Sequence, residues 1–215
     1  MKITPIRLWS KDQCQTISTL VKTHSELYVA REGFDTVGAA TYQDDPYEYP
    51  EIAAKYNPEI WRVFGDYISM AANALPDVGH TETPEGFGYP SFHVFDDRVG
   101  DTVGHPHIDE PFKRVAWPEP FTNPFSFTVA VELPSEGGGL DYWPDYTDEQ
   151  IDAYIATDEL PEPEYIPYQL GTMYVHDGFT PHRIANRFGV KAGEYRITLQ
   201  GHGATLASGT TVVYF

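Results

Sequence analysis

An antiparallel β-sandwich or barrel fronted by helices is what this sequence predicts, on three observations. Hydrophobic residues recur at helical spacing in the first third of the chain, whereas from Gly86 onward the pattern has period two. Seven short segments of the second kind follow one another, divided by Gly, Pro or Asp clusters. Between them lies no helical pattern long enough for parallel crossovers, so the strands pair antiparallel in an all-β core with flanking N-terminal helices.

The helices come first. Ser10 with Gln13 forms a capping box, and Ile17, Leu20 and Val21 follow at helical spacing, which predicts a helix over about 11–24. Asn57-Pro58 reads as a cap with proline in the first turn, ahead of Ile60, Trp61, Phe64, Ile68 and Leu75. Between the two, Thr36 to Gln43 reads as a strand ending at the Asp44-Asp45-Pro46 turn. The later strands are Phe92–Phe95, His105–Asp109, Ser126–Leu133, Gln169–His176, Arg183–Ala185, Tyr195–Gly201 and Thr210–Phe215. The stretch 145–163 holds another capping box, Thr147 with Gln150, and then an acidic Pro-rich segment; it reads as a solvated loop, or else a lid.

The chain has 215 residues, with 14 Lys plus Arg against 32 Asp plus Glu, a formal charge of −18. Nucleic acid and anionic membrane are bound by cationic side chains, so both are excluded as partners. With 41% hydrophobic and 14% aromatic residues the chain is too apolar for an acidic disordered tail. One domain is expected, with helical support over about 1–85 and the core over about 86–215. The start lacks a signal-peptide core, no run of about 18 apolar residues occurs, and Cys14 is the lone cysteine, so the expected compartment is cytoplasmic. Cys14 reads as an ordinary buried thiol, and a homodimer is a candidate assembly.

Five of the eight histidines lie between 105 and 202, with His93 just before them. The tightest group is His105-Pro106-His107-Ile108-Asp109. In a strand, residues two apart point to one side, so His107 and Asp109 face together, with His105 beside them. A third ligand must come from elsewhere, with His182 the best candidate and His176 its rival. Two imidazoles and one carboxylate occupy one face of an octahedral ion and leave three positions open. Fourteen positions after His182, Arg196 opens a run in which Arg196, Thr198, Gln200 and His202 share one face, opposite Ile197 and Leu199. A buried Arg calls for a planar anion, and a dicarboxylate offers one, with Thr198 adding a hydroxyl bond. Arg183 and Arg187 are the alternatives.

In these residues the sequence resembles the Fe(II)/2-oxoglutarate-dependent dioxygenase superfamily: His107-x-Asp109, the distal His182, then Arg196 and Thr198, in that order. Gly137-Gly138-Gly139-Leu140 and Gly171-Thr172-Met173-Tyr174 are similar to further stretches of that family, and the likeness covers about 88–203. The resemblance implies a double-stranded β-helix, a cupin-like jelly roll, with His107, Asp109 and His182 as catalytic iron ligands. It implies 2-oxoglutarate and O₂ as co-substrates, with Arg196 and Thr198 holding the far carboxylate. Small stand-alone members acting on free amino acids or related amines are the nearest in kind. Halogenases replace the metal carboxylate, which is retained here as Asp109, so hydroxylation with release of succinate and CO₂ is implied. Desaturation or cyclisation uses the same ligands; a cupin-type metalloenzyme without 2-oxoglutarate and a non-catalytic jelly-roll module are the other readings. Glu110, Tyr142, His176, Gln200 and His202 are the substrate-contact candidates.

Overall fold

In the computed structural model of the chain, the described residues are 3–76, 78–97, 105–157, 159–185 and 191–215. Among the described residues, twelve strands and three α-helices carry the fold. A nine-stranded sheet has the order β1(Thr4–Arg7)-β9(Thr172–His176)-β6(Phe121–Glu132)-β11(Arg196–Leu206)-β5(Ser91–Phe95)-β3(Asp35–Val37)-β2(Tyr28–Ala30). β12(Thr211–Tyr214) continues beside β11 beyond β5 and takes the short β4(Thr81–Glu82) on its free side. A second sheet, β10(His182–Ile184)-β7(Leu140–Tyr142)-β8(Glu164–Ile166), faces it, as a jelly roll requires.

The two faces of the large sheet follow from its alternation. Ile197 and Leu199 of β11, Phe92 and Val94 of β5, Val129 of β6 and Met173 of β9 point outward into one apolar cluster. Helices α1(Lys11–Thr23) and α2(Tyr49–Asn73) cover that face with Ile17, Val21, Ile60, Phe64 and Ile68, all at most 2% exposed. Each such side chain contributes about 1.5–3 kcal/mol by leaving water. The other face is left to the polar set.

α1 begins where its capping box places it: Gln13 donates its backbone N–H to Ser10 Oγ (3.2 Å), and Ser10 N–H donates to Gln13 Oε1 (2.9 Å). Cys14 is buried in its apolar face. α2 corrects the expectation at Asn57-Pro58. It starts a full two turns earlier, with Pro50 in its first turn and Pro58 inside the helix. Asn57 is no cap: its amide donates to the Phe87 carbonyl (2.8 Å) and accepts from Tyr89 N–H (3.2 Å), tying the helix to the strand that follows.

The predicted strand at 36–43 shortens to β3, because Gly38 at φ 77° turns the chain away from the sheet. His105–Asp109 is not a regular strand either and pairs only through an isolated bridge at His107. The front third is not purely helical, since β1 to β4 all join the large sheet. The 145–163 stretch is not a plain loop: Asp148–Thr157 forms α3, capped by Thr147 and Gln150 and anchored by fully buried Ile151.

Candidate metal centre

His107 and His182 stand opposite each other across the isolated bridge, each backbone N–H donating to the other's carbonyl at 2.9 Å. Residues paired in this way project to the same face, and the two rings lie 4.8 Å apart. Each ring is also locked at its far nitrogen. His107 Nδ1 bonds the His105 carbonyl and His182 Nδ1 the Thr180 carbonyl, both at 2.8 Å. A carbonyl only accepts, so both Nδ1 atoms carry the proton and both Nε2 atoms present a lone pair. Asp109 completes the group: one ligand atom from each of the three residues lies within 4.8 Å of the others. His182 and Asp109 are buried, while the His107 side chain is 49% exposed at the mouth.

Asp109 is held by backbone as well as side chains. Its N–H donates to the Gly178 carbonyl (2.8 Å), and a Cβ at Gly178, where φ is 79°, would sit 2.8 Å from Asp109 Cβ. Tyr42 donates its hydroxyl to Asp109 Oδ1 at 2.8 Å. Burial alone would favour the neutral acid, yet the surrounding imidazoles of His182, His202 and His176 hold Asp109 well below the usual carboxylate range. For His182 the balance is reversed: burial opposes the charged form, but the Asp109 carboxylate raises it above an ordinary imidazole. The donor set, two oriented imidazole nitrogens and a buried carboxylate, fits a divalent first-row metal ion.

His176, the rival ligand, is placed differently. Its Nδ1 accepts from Gly178 N–H (3.1 Å), so the proton resides on Nε2, which faces Asp109 Oδ2 at 4.0 Å. An imidazole presenting N–H has no lone pair for an ion, and burial and the nearby His182 push this group down to about 3, so it stays neutral. His202 also faces the centre. Ser126 Oγ bonds its Nδ1 at 2.8 Å, and burial, partly offset by Asp109, pushes it down to about 4.

On the large sheet, Arg196 is 1% exposed. Its Nε donates to the Gly138 carbonyl (3.0 Å), Nη1 lies 3.5 Å from Thr198 Oγ1, and the guanidinium sits over the rings of Phe95 (5.5 Å) and Tyr168 (5.7 Å). Gly138 belongs to the Gly run that the sequence singled out, and its φ of 81° turns that carbonyl into use. Gln200 donates to Thr198 Oγ1 at 3.3 Å. Arg183, by contrast, pairs with Asp141 at 3.1 Å, and Arg187 lies outside the described residues.

The remaining candidates lie further out. Glu110 pairs with Lys113 at 2.5 Å. Tyr142 stands opposite His182 in the small sheet, but its hydroxyl goes to Glu164. His105 is exposed and enters only through its carbonyl. Three groups were missed by sequence reasoning. Tyr42 lies in an irregular loop where the sequence had predicted the end of a strand. Tyr168 packs against the guanidinium from the 145–171 connection. His93 was legible in the alternation Ser91-x-His93-x-Phe95, which puts it opposite Thr198; its ring nitrogen Nδ1 is buried without a hydrogen-bond partner among the described residues.

Neither a protein-family model nor a curated protein sequence matches the chain. Solved structures do. An N-substituted L-amino acid dioxygenase from Burkholderia ambifaria AMMD in complex with alpha-KG aligns with TM-score 0.62 and 13% identity, over 99% of this chain and 86% of that one. HygX from Streptomyces hygroscopicus, with nickel and 2-oxoglutarate bound, aligns with TM-score 0.56 and 11% identity over 94% and 83%. SnoN, a non-heme alpha ketoglutarate dependent epimerase from nogalamycin biosynthesis, gives 0.52 and 15% over 93% and 76%. At such identities the likeness establishes the fold: the chain has the jelly-roll architecture of these proteins.

Proposed function

We propose that the protein is an Fe(II)- and 2-oxoglutarate-dependent oxygenase that hydroxylates an unactivated C–H bond of a small amino-acid-like metabolite, releasing succinate and CO₂. The observation that supports the reading is a gathered trio, His182 on the small sheet with His107 bridged to it and Asp109 beside them, while Arg196 and Thr198 lie on β11 of the facing sheet, with His93 and Tyr168 within electrostatic reach of both Asp109 and Arg196. The dioxygenase of Burkholderia ambifaria, similar in fold along nearly the whole chain, supports the amino-acid-like substrate class.

Iron with 2-oxoglutarate and O₂ supplies the oxidising chemistry; the chain supplies binding, orientation and exclusion of water. His107 and His182 offer fixed Nε2 lone pairs, and Asp109 offers the anionic ligand that offsets the ion's charge. Arg196 and Thr198 take the far carboxylate of the oxo acid, where a guanidinium fork matches a planar anion. The rings of Phe95 and Tyr168 line that end and keep it dry, which strengthens the ion pair. His176 supports Asp109 by its Nε2–H and by the Gly178 turn it anchors. Gln200 and His202, on the cavity face, are the substrate contacts best placed; Glu110 serves an amine only after leaving Lys113.

Anaerobic addition of Fe(II) and 2-oxoglutarate to the metal-free protein is expected to produce a visible charge-transfer band. Succinate formation over a panel of free amino acids and related amines then identifies the substrate. A folded, iron-loaded protein with no band rules the reading out.

A further inference from the structure

The loop 38–44 lies far from the metal ligands in sequence yet is fastened into the site at three points. Arg31 grips Asp44 through both carboxylate oxygens, at 2.6 and 3.0 Å, and both side chains are less than 10% exposed. Asp44 in turn accepts from Ala40 N–H at 2.7 Å, closing the loop on itself. Arg114 donates to the carbonyls of Tyr42 (2.8 Å) and Asp44 (3.4 Å). Two guanidiniums are thus used to fix one backbone segment, and that segment delivers a single side chain to the centre. The ring of Tyr42 packs edge-on against His202 at 5.3 Å and against His107 at 6.4 Å, and its hydroxyl reaches Asp109 Oδ1 at 2.8 Å.

A carboxylate has two oxygens that compete for the ion. When a donor occupies one, the other is left to bind and the group's rotation is stopped. Tyr42 occupies Oδ1, and Oδ2 lies 3.5 Å from His182 Nε2. We propose that Tyr42 is a positioning residue for Asp109: its hydroxyl holds Oδ1, commits the carboxylate to single-oxygen ligation through Oδ2, and makes the Arg31–Asp44–Arg114 clamp part of the metal centre. This inference rests on the oxygenase reading for the identity of the ion.

The test is anaerobic titration of wild type and Tyr42→Phe with Fe(II), followed by 2-oxoglutarate. Tyr42→Phe keeps the ring packing and removes only the donor. Its Fe(II) dissociation constant is expected to rise about tenfold, within the range that loss of a partner behind a metal ligand costs, and its charge-transfer band to shift. A purely structural tyrosine moves neither quantity once the variant is folded, which the Tm of the metal-free protein reports. Arg114→Met, which loosens the loop without touching the centre, is expected to weaken metal binding in the same direction by a smaller factor. Wild-type metal affinity and an unmoved band in Tyr42→Phe overturn the inference while leaving the oxygenase reading intact. A wild type that forms no band fails at the earlier step and removes both.

Discussion

His107 and His182 exchange both of their backbone hydrogen bonds across a single bridge, so two candidate metal ligands far apart in sequence are set side by side by the main chain. The side chains therefore contribute little to positioning each other, and either can be removed without undoing the pair. His107→Ala and His182→Ala are each expected to fold with a Tm close to wild type and to lose Fe(II) affinity by at least about a hundredfold, the upper end of what even an outer partner costs. Isothermal titration with Fe(II) or a Co(II) surrogate measures it. His176→Ala is expected to weaken binding far less, since its Nδ1 is spent on Gly178 N–H.

In the proposed reading, Arg196 separates the oxo-acid site from the metal site. Truncating one partner of a buried hydrogen-bonded charge pair costs about 2–5 kcal/mol, hence about thirtyfold or more in affinity. Arg196→Met is expected to raise the 2-oxoglutarate dissociation constant by at least that factor and to leave the Fe(II) constant near wild type. A wild type that binds Fe(II) yet ignores 2-oxoglutarate, with activity intact in Arg196→Met, favours a cupin-type enzyme that uses no oxo acid.

How far the sequence reached follows from which signals are local. The β11 alternation placed Arg196, Thr198, Gln200 and His202 on one face because period-two burial is written residue by residue, and the structure puts Ile197 and Leu199 opposite them. The Ser10 capping box was equally local. Asn57-Pro58 misled because a proline tolerated inside a helix and one that starts it look alike; what decides is the bond from Asn57 to the Phe87 carbonyl, thirty residues away. Tyr42 was missed because 36–43 read as a strand; Gly38 turns the chain out of the sheet, and contacts distant in sequence, from Arg31, Arg114 and Phe215, hold the segment that brings Tyr42 to Asp109.

Gly178 is where backbone conformation and the proposed metal ligation meet. Its φ of 79° is costly for any L side chain, by about 1–2 kcal/mol, and an added Cβ would press on Asp109 at 2.8 Å. Gly178→Ala is therefore expected to lower Tm by at least about 2 °C, taking the scaling for a domain of this size, and to weaken Fe(II) binding by displacing Asp109. Thermal melts with and without metal distinguish the two effects: an equal loss in both states assigns Gly178 to folding alone.

The acid side of the stability curve carries the signature of the buried imidazoles. Burial, reinforced by the nearby Arg196 charge, pushes His93 from 6.5 down to about 3, and His176 falls to about 3 and His202 to about 4. Between these values and 6.5 the unfolded chain binds protons that the folded chain does not, so stability is complete above pH 6.5 and declines as pH falls below it. Each such histidine adds up to about 1.4 kcal/mol per pH unit to the slope. His93 is not among the proposed metal-binding residues, and His93→Phe preserves packing against Phe34, Phe95 and Phe215. Denaturant midpoints of the metal-free protein between pH 7.5 and 5, above the range where most carboxylates protonate, are expected to fall less steeply in His93→Phe than in wild type. Identical slopes show instead that His93 takes up its proton in the fold as readily as in water.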